Sequence, residues 1–333
     1  MTKLLTIAVP SYNVEQYLER GLGSFADHRF DDKLEVIVVN DGSTDRTAEI
    51  AQRYVDAFPA IFKLVSKENG GHGSAVNTGV AHATGTYFRV IDGDDWVETE
   101  GLAALLDELA SIDADIVIDE MSRVDMSTLE KTPQPMPNYI PMRQAAPFES
   151  ICNVEQTESY IDIHTLSVRT ELLRANDIRI SEGVFYVDYE FVVKATCFAK
   201  TAIFLPIEVY QYLVGNANQS MAAQNMANRY QHHETVLKAL LRFESENQFS
   251  DATAAYLRQK IRLLVNTHYN ILLIFDADRK RGAERARAFR AWLKQDHPDL
   301  EKATRRRYRQ ALVLHYLGFD AERLDRFMGR ASR

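Results

Sequence analysis

The stretch TYFRVIDGDDWVE, residues 86–98, takes five residues of strand character, Tyr87 to Ile91, straight into Asp92, Gly93, Asp94 and Asp95. Carboxylates a few ångströms apart disfavour one another's ionisation unless a cation lies among them. Hard divalent ions take oxygen ligands and are commonly held by one or two carboxylates together with substrate phosphates. The stretch therefore reads either as a solvated acidic turn capping a helix near Thr99 or as a strand-end cation site with Asp92 and Asp94 as ligands. The crowding favours the cation site, and Gly93 leaves room for a ligand to approach the backbone.

Working outward, LLTIAV (4–9), LEVIVVN (34–40), IFKLV (61–65), TYFRVI (86–91) and ADIVI (114–118) are short runs rich in β-branched residues. Between them, residues 14–25, 44–58, 74–83 and 99–109 carry helical periodicity. Strands alternating with helices imply βαβ units and a mostly parallel central sheet flanked by helices. Ligands in such sheets bind beyond the carboxyl ends of the strands, where both DGSTD (41–45) and DGDD (92–95) fall. Pro133, Pro135, Pro137, Pro141 and Pro147 then exclude a regular helix or a central strand and mark an irregular excursion. Residues 160–173 read as a strand entering a short helix, 187–199 as a helix, and 201–214 as one or two strands. From about Met221 the pattern is helical, with Pro298 as the interior break. The expectation is an α/β domain over residues 1–220 followed by a helical C-terminal domain over 221–333.

At 333 residues, 46% hydrophobic and 26% charged, the chain has the composition of a globular protein with a sizeable core. Its most apolar stretch, ILLIF at 271–275, is far shorter than the ~18 residues of a membrane span. The N-terminus reads as a first strand rather than an export signal, so a cytoplasmic location is expected. Cys152 and Cys197 form neither a disulfide framework nor a metal spacing and are expected as free thiols in a reducing compartment. The net charge of −8 is uneven: residues 277–333 hold sixteen Lys/Arg against eight Asp/Glu. That basic region reads as solvated helix faces or as a surface for anionic lipid. TRRRYRQALVLHYLGF (304–319) divides Arg305 and Arg309 from Val313, Tyr316 and Leu317 on another helix face.

Four motifs follow in order: PSYN (10–13), NDGSTD (40–45), ENGGHGSAVNTG (68–79) and IDGDDW (91–96). With them the sequence resembles the family 2 glycosyltransferases of GT-A fold, strongly over residues 3–120 and weakly over 160–220. The resemblance implies inverting transfer of a sugar from a nucleotide-diphospho-sugar, UDP-sugars first among them, with Mg²⁺ or Mn²⁺ as cofactor. It puts Pro10, Tyr12 and Asn13 on the base side, Tyr12 either stacking on the base or packing at the rim. Asp41 matches the acid that accepts a hydrogen bond from the base imide, a donor that cytosine lacks. Asn40 stands where many relatives carry a second Asp. The glycines from Gly70 and the helix expected near Ser74 suit a diphosphate, and the family places Asn77 close to the nucleotide-sugar. Asp92 and Gly93 border the donor, and Asp94 with Asp92 holds the metal. Ser43, Thr44 and Asp45 read as structural, as the start of a helix. His72 reads as a loop surface residue rather than a ligand.

In the second half, EGVFYVDYEF stands where relatives open a helix with an acidic pair whose second acid is the base. Val187 replaces the first acid and Asp188 matches the second, either as general base for an acceptor hydroxyl or as a helix cap. Asn216, Asn218 and Ser220 are candidate lid contacts. A dehydrogenase lacks its glycine fingerprint after the first strand. A phosphatase of the haloacid dehalogenase type would need an acid where Val39 stands, and His232–His233 lacks the spacing of a metal hydrolase. A nucleotidyltransferase would want a Gly/Arg/Lys-rich loop after the first strand. The expected activity is metal-dependent glycosyl transfer to a saccharide or lipid-linked acceptor in bacterial-type cell-surface, exopolysaccharide or glycolipid assembly, with no nucleic acid partner; the basic C-terminal region either closes the helical domain or makes peripheral contact at the inner membrane face. The rival is a nucleotide-sugar-binding partner subunit without transferase activity, which Val187 favours.

Overall fold

The structure, a computed structural model, is described over residues 3–136, 143–151, 161–215, 222–324 and 326. Asn216, Asn218, Ser220 and Cys152 lie outside the described residues; Cys197 is a buried free thiol. The chain forms two compact units, Met1–Asn216 with Phe249–Thr253, and Ala217–Gln248 with Ala254–Arg333.

The first unit runs β1 (Leu5–Ser11), α1 (Glu15–Gly23), β2 (Leu34–Asn40), α2 (Thr47–Ala57), β3 (Phe62–Ser66), α3 (His72–His82), β4 (Tyr87–Val90), β5 (Trp96–Val97) and α4 (Thr99–Leu109). It continues through β6 (Ile116–Asp125), β7 (Lys131–Gln134), β8 (Ala146–Pro147), α5 (Phe148–Ile151), β9 (Leu166–Arg169), α6 (Thr170–Ala175), α7 (Val187–Phe198) and β10 (Thr201–Val214). These strands form one sheet in the order β3-β2-β1-β4-β9-β6-β10-β5, with β7 on β6 and β8 on β10. β1, β2, β3, β4, β6 and β10 run in one direction, while the short β5, β7, β8 and β9 run against them.

Every residue of β1 and β2 is buried, as strands covered by helices on both faces require. One face carries Leu5, Ile7, Val9, Val36 and Val38 against Leu18 and Leu22 of α1 and Leu102, Leu105 and Leu106 of α4. On the other, Ile37 and Val39 meet Ala75 of α3. Each large aliphatic side chain so buried contributes about 1.5–3 kcal/mol relative to exposure, which fixes the strand register and hence where the strand-end loops emerge.

Three expectations are corrected. The proline-rich excursion holds two short strands, β7 and β8; Pro133 is tolerated because β7 lies at an edge, where one row of backbone donors is not called upon. α2 begins at Thr47, not Thr44, because the Asp45 carboxylate takes the Thr47 N–H at 3.0 Å and that of Glu15 at 3.1 Å. α3 begins at His72, two residues before Ser74, with Gly71 at φ +82° as its N-cap.

The pair buried deepest in the sheet is Arg89 of β4 with Asp119 of β6, both side chains fully inaccessible. Arg89 Nη2 donates to Asp119 Oδ1 at 2.9 Å and also to the carbonyl of His164. The guanidinium thus anchors the turn that leads into β9.

The second unit holds α8 (Ala223–Asn228), α9 (Tyr230–Glu246), most of α10 (Asp251–Asn270), a π-helical turn at Ile271–Phe275, α11 (Arg279–Asp296) and α12 (Pro298–Tyr316). Pro298 sits in the first turn of α12, where its missing N–H costs nothing. Two buried carboxylates each hold a pair of arginines here. Asp276 accepts from Arg281 at 2.6 Å and Arg285 at 3.1 Å, and Glu301 from Arg290 at 3.0 Å and Arg305 at 2.7 Å. Val313, Tyr316 and Leu317 are exposed at 57%, 75% and 65%. No described helix is long and apolar enough to cross a membrane.

Candidate active site at the strand ends

Four loops leave the carboxyl ends of β1 to β4. Pro10 is the penultimate residue of β1, paired inside the sheet with Val39, and Tyr12 stands 52% exposed beyond the strand. Asn13 adopts φ +54°. Its Oδ1 accepts from the Thr44 N–H at 2.8 Å and its own N–H donates to Ser43 Oγ at 3.1 Å, tying the first loop to the second. Asp41, buried at the end of β2, accepts from the Gly70 and Gly71 N–H groups at 3.0 and 2.8 Å and from Lys67 at 2.8 Å. The carboxylate expected to read a base therefore also holds the glycine loop in place. Ser43 contributes as an acceptor to Asn13 and Asn40 as one to the Ser43 N–H at 3.0 Å.

The DGDD turn follows β4 closely. A Cβ on Gly93 would come within 2.8 Å of the Pro10 carbonyl, so the residue lets two strand-end loops touch. Asp92 lies between two imidazoles, His72 Nε2 at 2.9 Å and His164 Nε2 at 3.9 Å. Burial pushes its carboxyl up, but the His72 hydrogen bond and charge, with His164, hold it below the usual range. Asp94 is pushed up to about 6 by burial and by the charge of Asp92. Asp95 is raised well above the usual range by burial and by Asp94 and Asp92. It accepts from the Tyr210 hydroxyl at 2.6 Å and the Leu213 N–H at 2.7 Å.

The chain supplies some of the countercharge itself. His72 is raised to about 9: burial opposes its protonation, but Asp188 and Asp92 outweigh it. His164 likewise rises to about 9, its Nδ1 2.5 Å from Asp162 and its ring set between Tyr210 and Tyr212. The sequence reading of His72 as a bland loop residue is thus corrected. His164 was not found at all, since nothing local connects residue 164 to residue 92.

The group fits a divalent cation. Among the described residues Asp92, Asp95 and His164 offer ligand atoms within 4.8 Å of one another, and the raised Asp94 marks carboxylate charge that the imidazoles leave uncompensated. Asp94, expected as a ligand with Asp92, stands outside that trio; Asp95 and His164 stand inside it.

Across from this turn, Asp188 lies in the first turn of α7, half-exposed, its Oδ1 facing His72 Nδ1 at 3.3 Å. Burial raises its carboxyl and His72 only partly offsets this. Val187 is buried against the core, which accounts for an apolar residue where an acid was expected. The amide of Asn77 bonds Ile180 and Glu182 in the loop before α7.

The family model for glycosyl transferase family 2 matches residues 6–171. The uncharacterized glycosyltransferase EpsJ of Bacillus subtilis is 40% identical over 117 residues, 35% of this chain and 33% of EpsJ. The poly(ribitol-phosphate) β-N-acetylglucosaminyltransferase TarS of Staphylococcus aureus is 28% identical over 274 residues, 80% of this chain and 44% of TarS. The chain thus spans a third of the one relative and under half of the other. In structure it is similar to residues 1–349 of TarS in complex with UDP-GlcNAc, with a TM-score of 0.69 at 20% identity over 95% of this chain and 92% of that one. The mannosyltransferase PcManGT of Pyrobaculum calidifontis, in complex with GDP-Man and Mn²⁺, aligns with a TM-score of 0.52 at 20% identity over 95% and 87%. At such identity these two structures show the GT-A fold.

Proposed function

The chain belongs to glycosyl transferase family 2, and on that footing we propose that it is an inverting, metal-dependent transferase of nucleotide-sugar to an acceptor hydroxyl. The observation that carries this reading is the single imidazole of His72 bridging Asp92 and Asp188 at 2.9 and 3.3 Å. It brings a carboxylate suited to the diphosphate side and one suited to an acceptor into one cleft.

Residues 1–220 are the proposed catalytic domain and 221–333 its helical companion. Tyr12, Asn13 and Pro10 border the base and Asp41 takes its imide N–H. Gly70 and the N-terminus of α3 face the diphosphate, and Gly93 leaves space for the sugar. Asp92 and Asp94, with Asp95 and His164, would hold Mg²⁺ or Mn²⁺; bound there, the cation supplies Lewis-acid neutralisation of the departing diphosphate. Asp188 takes the proton of the acceptor hydroxyl on the opposite face of the sugar, its half-exposed carboxylate being open to that hydroxyl. Direct displacement from that face inverts the anomeric centre.

UDP-sugar as donor is supported by the UDP-GlcNAc complex of TarS, and a polymeric acceptor by its description as a poly(ribitol-phosphate) β-N-acetylglucosaminyltransferase; the product we propose is a cell-surface polysaccharide or glycolipid. A cytoplasmic location follows from that use. The exposed Val313, Tyr316 and Leu317, which follow Arg309 toward the end of α12, support peripheral contact with anionic lipid. A panel of UDP-, dTDP- and GDP-sugars, assayed for hydrolysis and transfer with Mn²⁺ and Mg²⁺, tests the reading. Binding of UDP with every donor left intact would favour the non-catalytic partner subunit instead.

A further inference from the structure

We infer that Asn77 is a positioning residue for Asp188, acting on the acceptor side of the reaction rather than on the nucleotide. The inference rests on the reading of Asp188 as the base.

Asn77 lies in the middle of α3, yet its side chain is spent on the loop that carries Asp188. Its Oδ1 accepts the N–H of Ile180 at 3.0 Å while its Nδ2 donates to the carbonyl of the same residue at 2.9 Å. A second Nδ2 bond goes to Glu182 Oε1 at 2.9 Å. Pairing both backbone groups of one residue fixes the rotation of the loop as well as its distance from the helix.

The neighbouring contacts continue the attachment toward Asp188. A Cβ on Gly73 would lie 2.0 Å from the Ser181 carbonyl, so α3 and the loop touch backbone to backbone only because that position has no side chain. The Gly183 N–H donates to the Gly70 carbonyl at 2.7 Å. The Ser181 N–H donates to Glu190 Oε2 at 3.1 Å, and Glu190 is itself paired with Lys194 at 2.7 Å. The loop then turns through Tyr186 at φ +70°, a conformation unfavourable to a bulky residue, and enters α7 with Asp188 in its first turn. His72, the first residue of α3, reaches the carboxylate itself. One helix therefore sets both the loop and the group at its end. A base must lie within hydrogen-bond reach of the proton it takes, and a displacement of about 1 Å costs on the order of 10²-fold in rate.

The test uses the full chain and the donor that turns over fastest in the panel above. Asn77→Ala should lower kcat about 10²-fold while donor KM and UDP affinity by calorimetry stay within about three-fold. Introduced into Asp188→Asn it should cost little more, because the two act on one step. Additive losses, or UDP affinity falling with kcat held, would overturn the inference and make Asn77 a nucleotide contact. If Asn77→Ala lowers the melting temperature, Glu182→Ala, at an exposed side chain with one of the three bonds, carries the same test. It should lose kcat several-fold with UDP affinity kept, and an unchanged kcat would sink the idea. Full turnover by Asp188→Asn alone overturns the base assignment and this inference with it. An inactive Asp188→Asn beside an unaffected Asn77→Ala overturns this inference alone.

Discussion

Asp119→Ala is the most informative perturbation of the fold, because its cost can be worked from one buried pair. The change would leave the Arg89 guanidinium, fully inaccessible, with the His164 carbonyl as its remaining charge-assisted partner. Removing one member of a buried pair costs about 3–5 kcal/mol, since the other charge stays desolvated and uncompensated. For a unit of this size each kcal/mol shifts the melting temperature by about 2–4 °C, so a drop of roughly 10 °C is expected. Replacing both groups by apolar residues, Arg89→Met with Asp119→Leu, should recover most of that loss, because no unpaired charge remains. Chemical denaturation monitored by circular dichroism measures both variants against the parent. A loss under about 1 kcal/mol for Asp119→Ala, or a double variant as unstable as Asp119→Ala, would refute the argument. The pair would then not be desolvated in solution.

Asp94→Ala should abolish transfer and donor hydrolysis, and titration of EDTA into the parent should do the same; full activity in EDTA would remove the cation from the reaction. Asp188→Asn keeps shape and removes proton acceptance, so turnover should collapse with UDP affinity nearly unchanged, whereas loss of UDP binding would make the residue structural. In the helical unit, His233 and His268 face each other with Nδ1 atoms 3.2 Å apart. Burial lowers His233 to about 4, and burial with the charge of His233 takes His268 well below its ordinary value. The unfolded chain therefore binds protons below pH ~6.5 that the folded unit refuses, so stability is full above that pH and falls on descent toward pH 4. The depression of His233 alone corresponds to about 3 kcal/mol. Melting curves from pH 7.5 to 4.5 should show this slope, and a His233→Gln, His268→Phe variant with an equal slope would exclude these groups as its origin.

What the sequence disclosed was what local pattern encodes. Short β-branched-rich runs and helical stretches placed β1 to β4 and their helices within a few residues, because buried parallel strands are near-continuous apolar runs. The motifs at their carboxyl ends were legible for the same reason: each lies within one turn. The features missed join distant residues. His164 reaches Asp92 only after β9 inserts antiparallel between β4 and β6, and no periodicity in 160–173 announces that placement. Arg89 reads in the sequence as a polar interruption of an apolar strand, and only Asp119, thirty positions on, explains it. Asn77 is a case of another kind. Its motif pointed to the donor, but its amide is taken up by a loop more than a hundred positions later.

The bonding of Asp41 has a consequence for discrimination among bases. A carboxylate offers about four acceptor positions. Gly70 and Lys67 take two on Oδ1, and Gly71 takes one on Oδ2. One lone pair on Oδ2 is left, aimed by a scaffold that the protein has already built. On the proposed reading, a uracil imide N–H fills it without displacing any of the three bonds the carboxylate already accepts. A base presenting a lone pair at that place meets like polarity, and the carboxylate cannot swing away without abandoning two backbone amides and an ammonium. Selectivity of this kind is set by rigidity rather than by contact area, and loosening the glycine loop should widen the range of nucleotides accepted before it weakens the favoured one.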